Sequence, residues 1–216
     1  MTHIDTLLAE QLLDISAIQL QPLSPFVWAT GWNSPIYTDL RKALSYPSVR
    51  NFIKVELSRI IMENFRSVQL VASASKGAIA HGALVADTLG LPFAYVLSTP
   101  KDHGLENLIE GNITPGQHVV IVEDQISTGN NSLKAAQALR DAGADVLGMV
   151  AMFDYEFPCA QQSFEKAGIK LCSITNYSAM IQAAVATHYI KPTDVSTLDL
   201  WRQDPENWTP SSLEID

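Results

Sequence analysis

The sequence predicts an α/β protein in which helices cover both faces of a central, mostly parallel sheet. Short apolar runs that favour strands alternate with amphipathic runs that favour helices through the middle of the chain, and this alternation is typical of parallel sheets. The run at 119–122 consists of apolar, β-branched residues, as expected of a strand buried on both faces. We therefore expect this strand to lie in the interior of the sheet.

The other elements follow from the spacing of apolar residues and from the turn residues between them. Helices are predicted at 4–18, 47–61, 78–89, 132–142, 157–167, 177–187 and 192–203. Further strands are predicted at 68–72, 93–97, 146–152 and 170–174. Residues 26–39, which Gly31 and Pro35 interrupt, are expected to form a hairpin or small hood. We predict one domain over 1–216, with an N-terminal helix and hood at 1–45 over an α/β core at 46–204.

Composition and charge limit the classes of function. The 216 residues are 47% hydrophobic, which excludes a disordered chain. The net charge of −9 does not favour nucleic-acid or membrane binding by the whole surface, so an anionic substrate requires a local positive site. The two cysteines, Cys159 and Cys172, indicate a reducing compartment, with a single disulfide as the less favoured alternative. The chain begins without a secretory signal pattern, and we expect a cytoplasmic protein.

The strongest functional signal follows the apolar run at 119–122. Glu123 and Asp124 come next, and a short polar segment with Gly129 then leads into a predicted helix. Carboxylates at the end of a buried parallel strand can accept hydrogen bonds from ribose hydroxyls. Loop amides and the helix N-terminus can hold a phosphate. This pattern predicts a sugar-phosphate site; the alternative is a solvated end of a strand.

The segment Glu-Asp-x-x-Ser-Thr-Gly at 123–129 resembles the 5-phosphoribosyl 1-pyrophosphate (PRPP) motif of type I phosphoribosyltransferases. Four further segments are similar to orotate phosphoribosyltransferase: Ser-Pro-Ile-Tyr at 34–37, Lys-Asp-His-Gly at 101–104, Ile-Glu-Gly at 109–111 and Trp-Arg at 201–202. The resemblance covers nearly the whole chain. It implies the type I phosphoribosyltransferase fold and a transfer of the 5-phosphoribosyl group from PRPP to orotate, which gives orotidine 5′-monophosphate and pyrophosphate.

The resemblance also implies roles for individual residues. PRPP would be bound by Glu123, Asp124, Gln125, Ile126, Ser127, Thr128, Gly129, Asn130, Asn131, Ser132 and Lys76. Catalysis would depend on Lys101, His103 and Asp124, and orotate would contact Ser127, Phe26 and Tyr37. Mg²⁺ would be held mainly by PRPP itself, with no direct protein ligand. The implied assembly is a homodimer with shared active sites, in which the loop at 98–116 closes over the neighbouring subunit's site.

Simpler interpretations remain open for several of these residues. Lys76 fits equally a solvated lysine in an ordinary strand-to-helix turn. His103 is otherwise a plain loop histidine, although its place beside Lys101 favours function. The hood aromatics are as often packing residues as recognition residues.

The chain departs from the family at some ligand-binding positions. The family usually has arginine at the position of Leu97, lysine at that of Asn33, and Thr-Gly-Gly-Ser where this chain has Thr-Gly-Asn-Asn at 128–131. Leu97 and Asn33 therefore lack cations that could face pyrophosphate or orotate. Asn130 would place a side chain where glycine lets the backbone bend freely, and we expect a glycine there to strengthen phosphate binding.

Three alternative functions follow from these observations. The first is a degenerate paralogue that binds a nucleotide or PRPP with weak or no turnover. The second is a phosphoribosyltransferase for another base. The third is a phosphoacceptor domain that uses Asp124, against which the long loop at 98–116 argues.

Overall fold

The computed structural model describes residues 3–28, 31–74, 76–97 and 108–209. After helix α1 (His3–Asp14), the N-terminal region forms two small antiparallel strand pairs. Strand β1 (Ile18–Leu20) pairs with β4 (Ile36–Thr38), and β2 (Phe26–Val27) pairs with β3 (Asn33–Ser34). These two pairs form the hood that the sequence predicts for residues 26–39.

A six-stranded sheet forms the centre of the fold. Its strands in chain order are β5 (Leu70–Ser73), β6 (Phe93–Val96), β7 (Ile109–Glu110), β8 (His118–Ile126), β9 (Asp145–Asp154) and β10 (Lys170–Asn176). Across the sheet the order is β10-β9-β8-β5-β6-β7, and only β7 runs antiparallel to its neighbour. The prediction of a mostly parallel sheet with the strand at 119–122 in its interior is confirmed.

Seven α-helices surround this sheet in the described part of the chain. After α1 they are α2 (Pro47–Asn64), α3 (Ile79–Leu89), α4 (Asn130–Asp141), α5 (Pro158–Ala167), α6 (Tyr177–Ala186) and α7 (Val195–Gln203). Helix α2 packs on α1 and α3 and against the β9–β10 side of the sheet, and α4 packs on α5 and on β8 and β9. No described helix has both the length and the apolar character needed to cross a bilayer.

Two predicted elements have different bounds in the structure. The helix predicted to reach Ile18 ends at Asp14, because Ser16 adopts a left-handed backbone with φ 55° and Ile18 pairs with Thr38 in β1. The apolar face that suggested a longer helix is still buried, since Ile18 is fully buried. The last predicted helix begins as a 3₁₀ turn at Pro192–Asp194, and α7 starts only at Val195.

Strand β8 is longer than its apolar run. It continues to Ile126, because β9 supplies parallel partners as far as Asp154. Glu123 and Asp124 therefore lie among the last residues of a paired strand and not in the loop after it. Their backbone is fixed by the sheet, which holds both carboxylates in defined positions.

An aromatic cluster fastens the hood to the core. Trp201 of α7 is fully buried and contacts the rings of Trp28, Tyr155, Phe157 and Tyr177 at centroid distances of 5.5–6.1 Å. Its indole Nε1 donates a 3.1 Å hydrogen bond to the backbone oxygen of a residue in β3. The C-terminal helix thereby connects the N-terminal hood to the carboxyl end of the sheet.

Candidate active site

The carboxyl end of β8 opens into a cavity of about 270 Å³. Its lining residues come from the end of β8, the following turn, the start of α4 and the loop before α3: Gly77, Glu123, Asp124, Gln125, Ser127, Thr128, Gly129, Asn130, Asn131 and Ser132. Nine of these were predicted as PRPP-binding residues from the sequence. The structure thus brings the predicted segment together around one cavity.

Glu123 is held by a helix side chain. Its carboxylate is almost fully buried, and its Oε1 accepts a 2.7 Å hydrogen bond from the hydroxyl of Ser132 in the first turn of α4. Burying a carboxylate is costly unless hydrogen bonds compensate for the lost water. The Ser132 contact therefore fixes the position of the Glu123 carboxylate at the cavity wall.

Asp124 lies against Gly77 across the cavity. A Cβ atom on Gly77 would lie only 1.8 Å from Oδ2 of Asp124, so this position accommodates the carboxylate because it has no side chain. Oδ1 of Asp124 also accepts a 2.9 Å hydrogen bond from the backbone N–H of Gln125. The sequence predicted a small-residue loop here, but it did not reveal this close contact between loop and acid.

The first turn of α4 provides donors for an anion. Gly129 precedes the helix in a left-handed conformation with φ 77°, and no side chain caps the helix N-terminus. The first backbone N–H groups of a helix have no partners within the helix, and they attract a phosphate. Gly129 is the left-handed residue of this turn, whereas Asn130 already has helical backbone. The expectation that Asn130 occupies the position that needs glycine is therefore corrected.

Two predicted PRPP-binding residues do not line this cavity. The side chain of Ile126 is buried in the hydrophobic core, because the last residue of β8 turns inward, so only its backbone faces the turn. Lys76 is exposed and lines a second cavity of about 490 Å³, which Leu97, Asn131 and Lys134 also line. Asn131 lines both cavities, so the two are neighbours. Lys134 adds a cation that the sequence analysis did not identify.

The predicted hood residues lie together but outside these two cavities. Phe26 and Tyr37 are in ring contact with centroids 5.5 Å apart, and neither lines the cavity at 123–132 or the one beside Lys76. Tyr37 is 39% exposed, so its ring retains a solvent-facing surface. Lys101 and His103, the predicted catalytic residues of the long loop, lie outside the described residues.

The structure reveals a hydrogen-bond chain that sequence reasoning missed. The hydroxyl of Thr38, in the hood, donates to Oε1 of Gln125. The Thr38 hydroxyl also lies 2.9 Å from the hydroxyl of Tyr155, which follows β9 and is almost fully buried. Burial raises the pKa of Tyr155 well above its ordinary value of 10, so this hydroxyl stays protonated and can donate. No sequence pattern linked these residues, which are up to 117 positions apart.

The carboxylates of the site suit a metal ion that is bound mainly by the phosphates of a substrate. In the described residues no group of three or more His, Cys, Asp or Glu side chains could hold a metal ion. Glu123 and Asp124 are the carboxylates that line the main cavity. Mg²⁺ is commonly bound through one or two carboxylates together with substrate phosphates, and this donor set fits that arrangement.

Leu97 and Asn33, where the resemblance implies cations, occupy different environments. Leu97 directly follows β6, donates its backbone N–H to the backbone oxygen of Leu108 and lines the cavity beside Lys76. Asn33 lies in β3, where its backbone oxygen accepts the Trp201 hydrogen bond, and it lines neither cavity described above. Of these two positions, Leu97 is therefore the one that faces the site.

Comparisons with known proteins identify the family. No protein-family profile matches the chain. Orotate phosphoribosyltransferase of Bacteroides thetaiotaomicron is 55% identical over 208 residues, which cover 96% of this chain and 98% of that protein. Among solved structures, orotate phosphoribosyltransferase from Aeropyrum pernix has a TM-score of 0.69 at 23% identity and covers 81% of this chain and 97% of its own.

A third comparison is with a ligand complex. Orotate phosphoribosyltransferase of Mycobacterium tuberculosis H37Rv in complex with PRPP has a TM-score of 0.60 at 22% identity, over 82% of this chain and 98% of that one. At this identity the two solved structures support the fold, which is that of the type I phosphoribosyltransferases. The 55% identity over nearly the full length of both proteins carries the assignment further, and the chain belongs to the orotate phosphoribosyltransferase family.

Proposed function

We propose that this protein transfers the 5-phosphoribosyl group of PRPP to orotate, giving orotidine 5′-monophosphate and pyrophosphate. The observation that carries the proposal is the cavity at the end of β8, where two strand-held acids face the uncapped first turn of α4. Acids and a helix N-terminus without a side-chain cap around one cavity suit a ribose with a 5-phosphate. The family membership supports orotate as the acceptor.

In this proposal each part of the cavity has a separate task. Glu123 and Asp124 accept hydrogen bonds from the ribose hydroxyls, and the backbone at 127–132 surrounds the 5-phosphate. The bond from ribose C1 to pyrophosphate breaks while the base nitrogen approaches, and the transition state has oxocarbenium character. No covalent intermediate with the protein is needed, so the rate depends on positioning and on stabilising charge.

Pyrophosphate leaves on the side of the neighbouring cavity. Lys76 and Lys134 line that cavity and can offset the charge of the departing group. We propose that Lys101 neutralises pyrophosphate and that His103 hydrogen-bonds it or assists proton movement. When bound, Mg²⁺ carried by PRPP would supply further neutralisation, and Glu123 and Asp124 are the carboxylates of the cavity that could contact it.

We propose a homodimer with shared active sites, in which the loop at 98–116 reaches the neighbouring subunit. Cys159 and Cys172 are both free thiols, which suits a reducing compartment, and we propose the cytoplasm.

Orotate consumption followed by ultraviolet absorbance, with PRPP and Mg²⁺, tests the reaction directly. We expect turnover by the natural protein and a fall in kcat/KM of about 10- to 100-fold in Asp124→Asn, the size of a lost hydrogen bond to a charged group. Asp141→Asn is the matched control, because Asp141 is an exposed acid at the end of α4 whose Oδ1 accepts a hydrogen bond from Gln137.

Other outcomes separate the alternative functions. PRPP binding without orotate consumption would support the degenerate paralogue. Turnover with another base but not with orotate would support a phosphoribosyltransferase of different specificity. If the protein neither binds PRPP nor consumes orotate, the proposed function is wrong.

A further inference from the structure

The side chain of Gln125, at the cavity wall, is directly tied to the hood. Its Oε1 accepts the hydrogen bond from Thr38, which belongs to β4, while Gln125 itself lies near the end of β8. The two residues are 87 positions apart in the chain. This contact therefore joins the cavity at 123–132 to the hood across a large sequence separation.

With Oε1 of the Gln125 carboxamide facing Thr38, proton count gives the direction of the hydrogen bonds along Tyr155, Thr38 and Gln125. The Thr38 hydroxyl has one proton, which it donates to Oε1 of Gln125. The second hydrogen bond at Thr38, of 2.9 Å, must therefore receive its proton from the hydroxyl of Tyr155. Tyr155 can serve as this donor at all working pH values, because its burial keeps the hydroxyl protonated.

The orientation of the Gln125 carboxamide follows from this. Its oxygen is occupied by Thr38, so its Nε2 group is the part left to contact a ligand, and no described residue accepts a hydrogen bond from it. An amide NH₂ group donates and does not accept. A ligand group that meets Gln125 at the cavity wall must therefore present an oxygen acceptor, such as a carbonyl or a carboxylate.

The surroundings of the Tyr155–Thr38–Gln125 hydrogen-bond chain favour the base, and not the sugar phosphate, as the ligand group that accepts a hydrogen bond from Gln125. Tyr37 is next to Thr38 in β4, and Arg41 follows in the 3₁₀ helix at Leu40–Ser45. Arg41 is exposed and forms a 2.7 Å ion pair with Asp39, and the charge of Asp124 acts on it only weakly. The contact with Thr38 places the Gln125 carboxamide on the hood side of the cavity, whereas the phosphate donors lie at the start of α4. The base is therefore the part of the ligand that Gln125 would meet.

We propose that the Tyr155–Thr38–Gln125 chain holds Gln125 as a donor to an oxygen of the pyrimidine, its carbonyl or carboxylate, and so determines the affinity for the acceptor base. Gln125 would touch the substrate, and Thr38 and Tyr155 would act through it as positioning residues. This inference rests on the proposed function, because it assigns a residue to the acceptor of the same reaction.

Three substitutions, one at each residue, test the Tyr155–Thr38–Gln125 hydrogen-bond chain. Gln125→Met keeps the length of the side chain without its donor, Thr38→Val keeps the shape of threonine without its hydroxyl, and Tyr155→Phe removes only the phenolic oxygen. KM for orotate and KM for PRPP are measured separately for each variant. We expect Gln125→Met and Thr38→Val to raise KM for orotate by about 10-fold and Tyr155→Phe by about 3-fold, with KM for PRPP within about 2-fold.

Tyr177→Phe is the matched control. Tyr177 belongs to the same aromatic cluster and donates a buried 2.9 Å hydrogen bond to the backbone oxygen of Leu198, away from Thr38. It should lose about as much thermal stability as Tyr155→Phe without changing KM for orotate. A merely structural role for Tyr155 predicts that both variants behave alike, and that result would overturn the proposal.

The double variant Thr38→Val with Gln125→Met adds a test of coupling. If Thr38 acts only through Gln125, the double variant raises KM for orotate no more than Gln125→Met alone. Additive effects would overturn the proposed chain, as would a rise in KM for PRPP that equals the rise for orotate. Failure of the natural protein to turn over orotate is a different result, because it removes the proposed function itself and this inference with it.

Discussion

The hydroxyl of Ser132 in α4 donates a 2.7 Å hydrogen bond to Oε1 of Glu123 in β8, so a helix and a strand meet at the wall of the main cavity. Both side chains are buried. Removing the hydroxyl in Ser132→Ala should lower the free energy of unfolding by about 1–3 kcal/mol, the usual cost when a buried charged group loses a hydrogen bond. Because Glu123 lines the cavity, the dissociation constant for PRPP should rise as well.

Ser163→Ala is the control for this prediction. Its hydroxyl donates a 2.7 Å hydrogen bond to the backbone oxygen of Cys159 on the exposed surface of α5. Urea unfolding and calorimetric titration with PRPP should show little change in this variant. If both serine variants lose the same free energy of unfolding and the same PRPP affinity, the contact with Glu123 contributes no more than an ordinary surface hydrogen bond.

Gly77→Ala should disturb the position of Asp124. The new Cβ would lie 1.8 Å from Oδ2 of Asp124, so the carboxylate must move away. Gly77 has no positive φ and Asp124 is a flexible side chain, so the fold should survive. We expect PRPP affinity to fall by about 10- to 100-fold, as when a charge-assisted contact is lost. The melting temperature should change little.

A double-mutant cycle identifies the cause. If Gly77→Ala acts by displacing the carboxylate, then Gly77→Ala combined with Asp124→Ala binds PRPP no more weakly than Asp124→Ala alone. Losses that add would show that Gly77 is needed for the approach of the ligand itself and that its contact with Asp124 is incidental.

His81 in α3 makes stability depend on pH. The residue is fully buried, and neither ring nitrogen has a hydrogen-bond partner among the described residues. Burial, with a smaller contribution from Arg50, lowers the pKa of His81 from 6.5 to about 4. The unfolded chain therefore takes up a proton on this ring before the folded protein does. Stability should be complete above about pH 6.5 and decline as the pH falls towards about 4.

Urea unfolding at about pH 7 and at about pH 5 measures this effect. The free energy of unfolding of the natural protein should fall by about 2 kcal/mol between these pH values because of His81. His81→Leu should lose less free energy of unfolding between the two pH values. The carboxylates titrate in both proteins, so their contribution to the pH dependence cancels when the two are compared. His118→Gln, at a partly exposed histidine in β8, should keep the full loss of stability between the two pH values. The same pH dependence in wild type and His81→Leu would contradict the assignment.

Trp201→Ala should be among the most destabilising single substitutions. Trp201 is fully buried, contacts four aromatic rings and donates a hydrogen bond into the hood. Large-to-small changes at such positions cost about 3–5 kcal/mol, measured as the free energy of unfolding in urea. Trp208→Ala, at a partly buried tryptophan beyond α7, should cost clearly less. Similar costs for both would show that the hood does not depend on the cluster.

The sequence predicted the parts of the molecule that depend on local pattern. The buried run at 119–122, the helix after the turn and the hood all follow from periodicity and turn residues. The missed features depend on distant chain segments. The fit of Asp124 against Gly77 and the contact of Gln125 with Thr38 join positions 47 and 87 residues apart, which no periodicity encodes. The sequence did not predict that α1 ends at Asp14. The helical spacing of apolar residues continues to Ile18, which is buried as well but belongs to strand β1.

Leu97 stands where the resemblance to orotate phosphoribosyltransferase implies an arginine. Leu97 lines the cavity of about 490 Å³ together with Lys76 and Lys134. An arginine at this position would add a third cation on the side where we place pyrophosphate. Leu97→Arg should therefore tighten PRPP binding by about 10-fold or more, the effect of one charge-assisted contact to phosphate. Binding of ribose 5-phosphate, which lacks pyrophosphate, should stay within about 2-fold.

Two control variants make the interpretation of Leu97→Arg specific. Leu97→Met adds length without charge and should bind both ligands as the natural protein does. Asn130→Gly should not strengthen either ligand, because Asn130 is already helical and Gly129 supplies the left-handed turn. Isothermal titration of all three variants with both ligands decides the matter. If Leu97→Arg tightens ribose 5-phosphate as much as PRPP, the added charge acts on the 5-phosphate. In that case the cavity beside Lys76 is not the pyrophosphate side of the site.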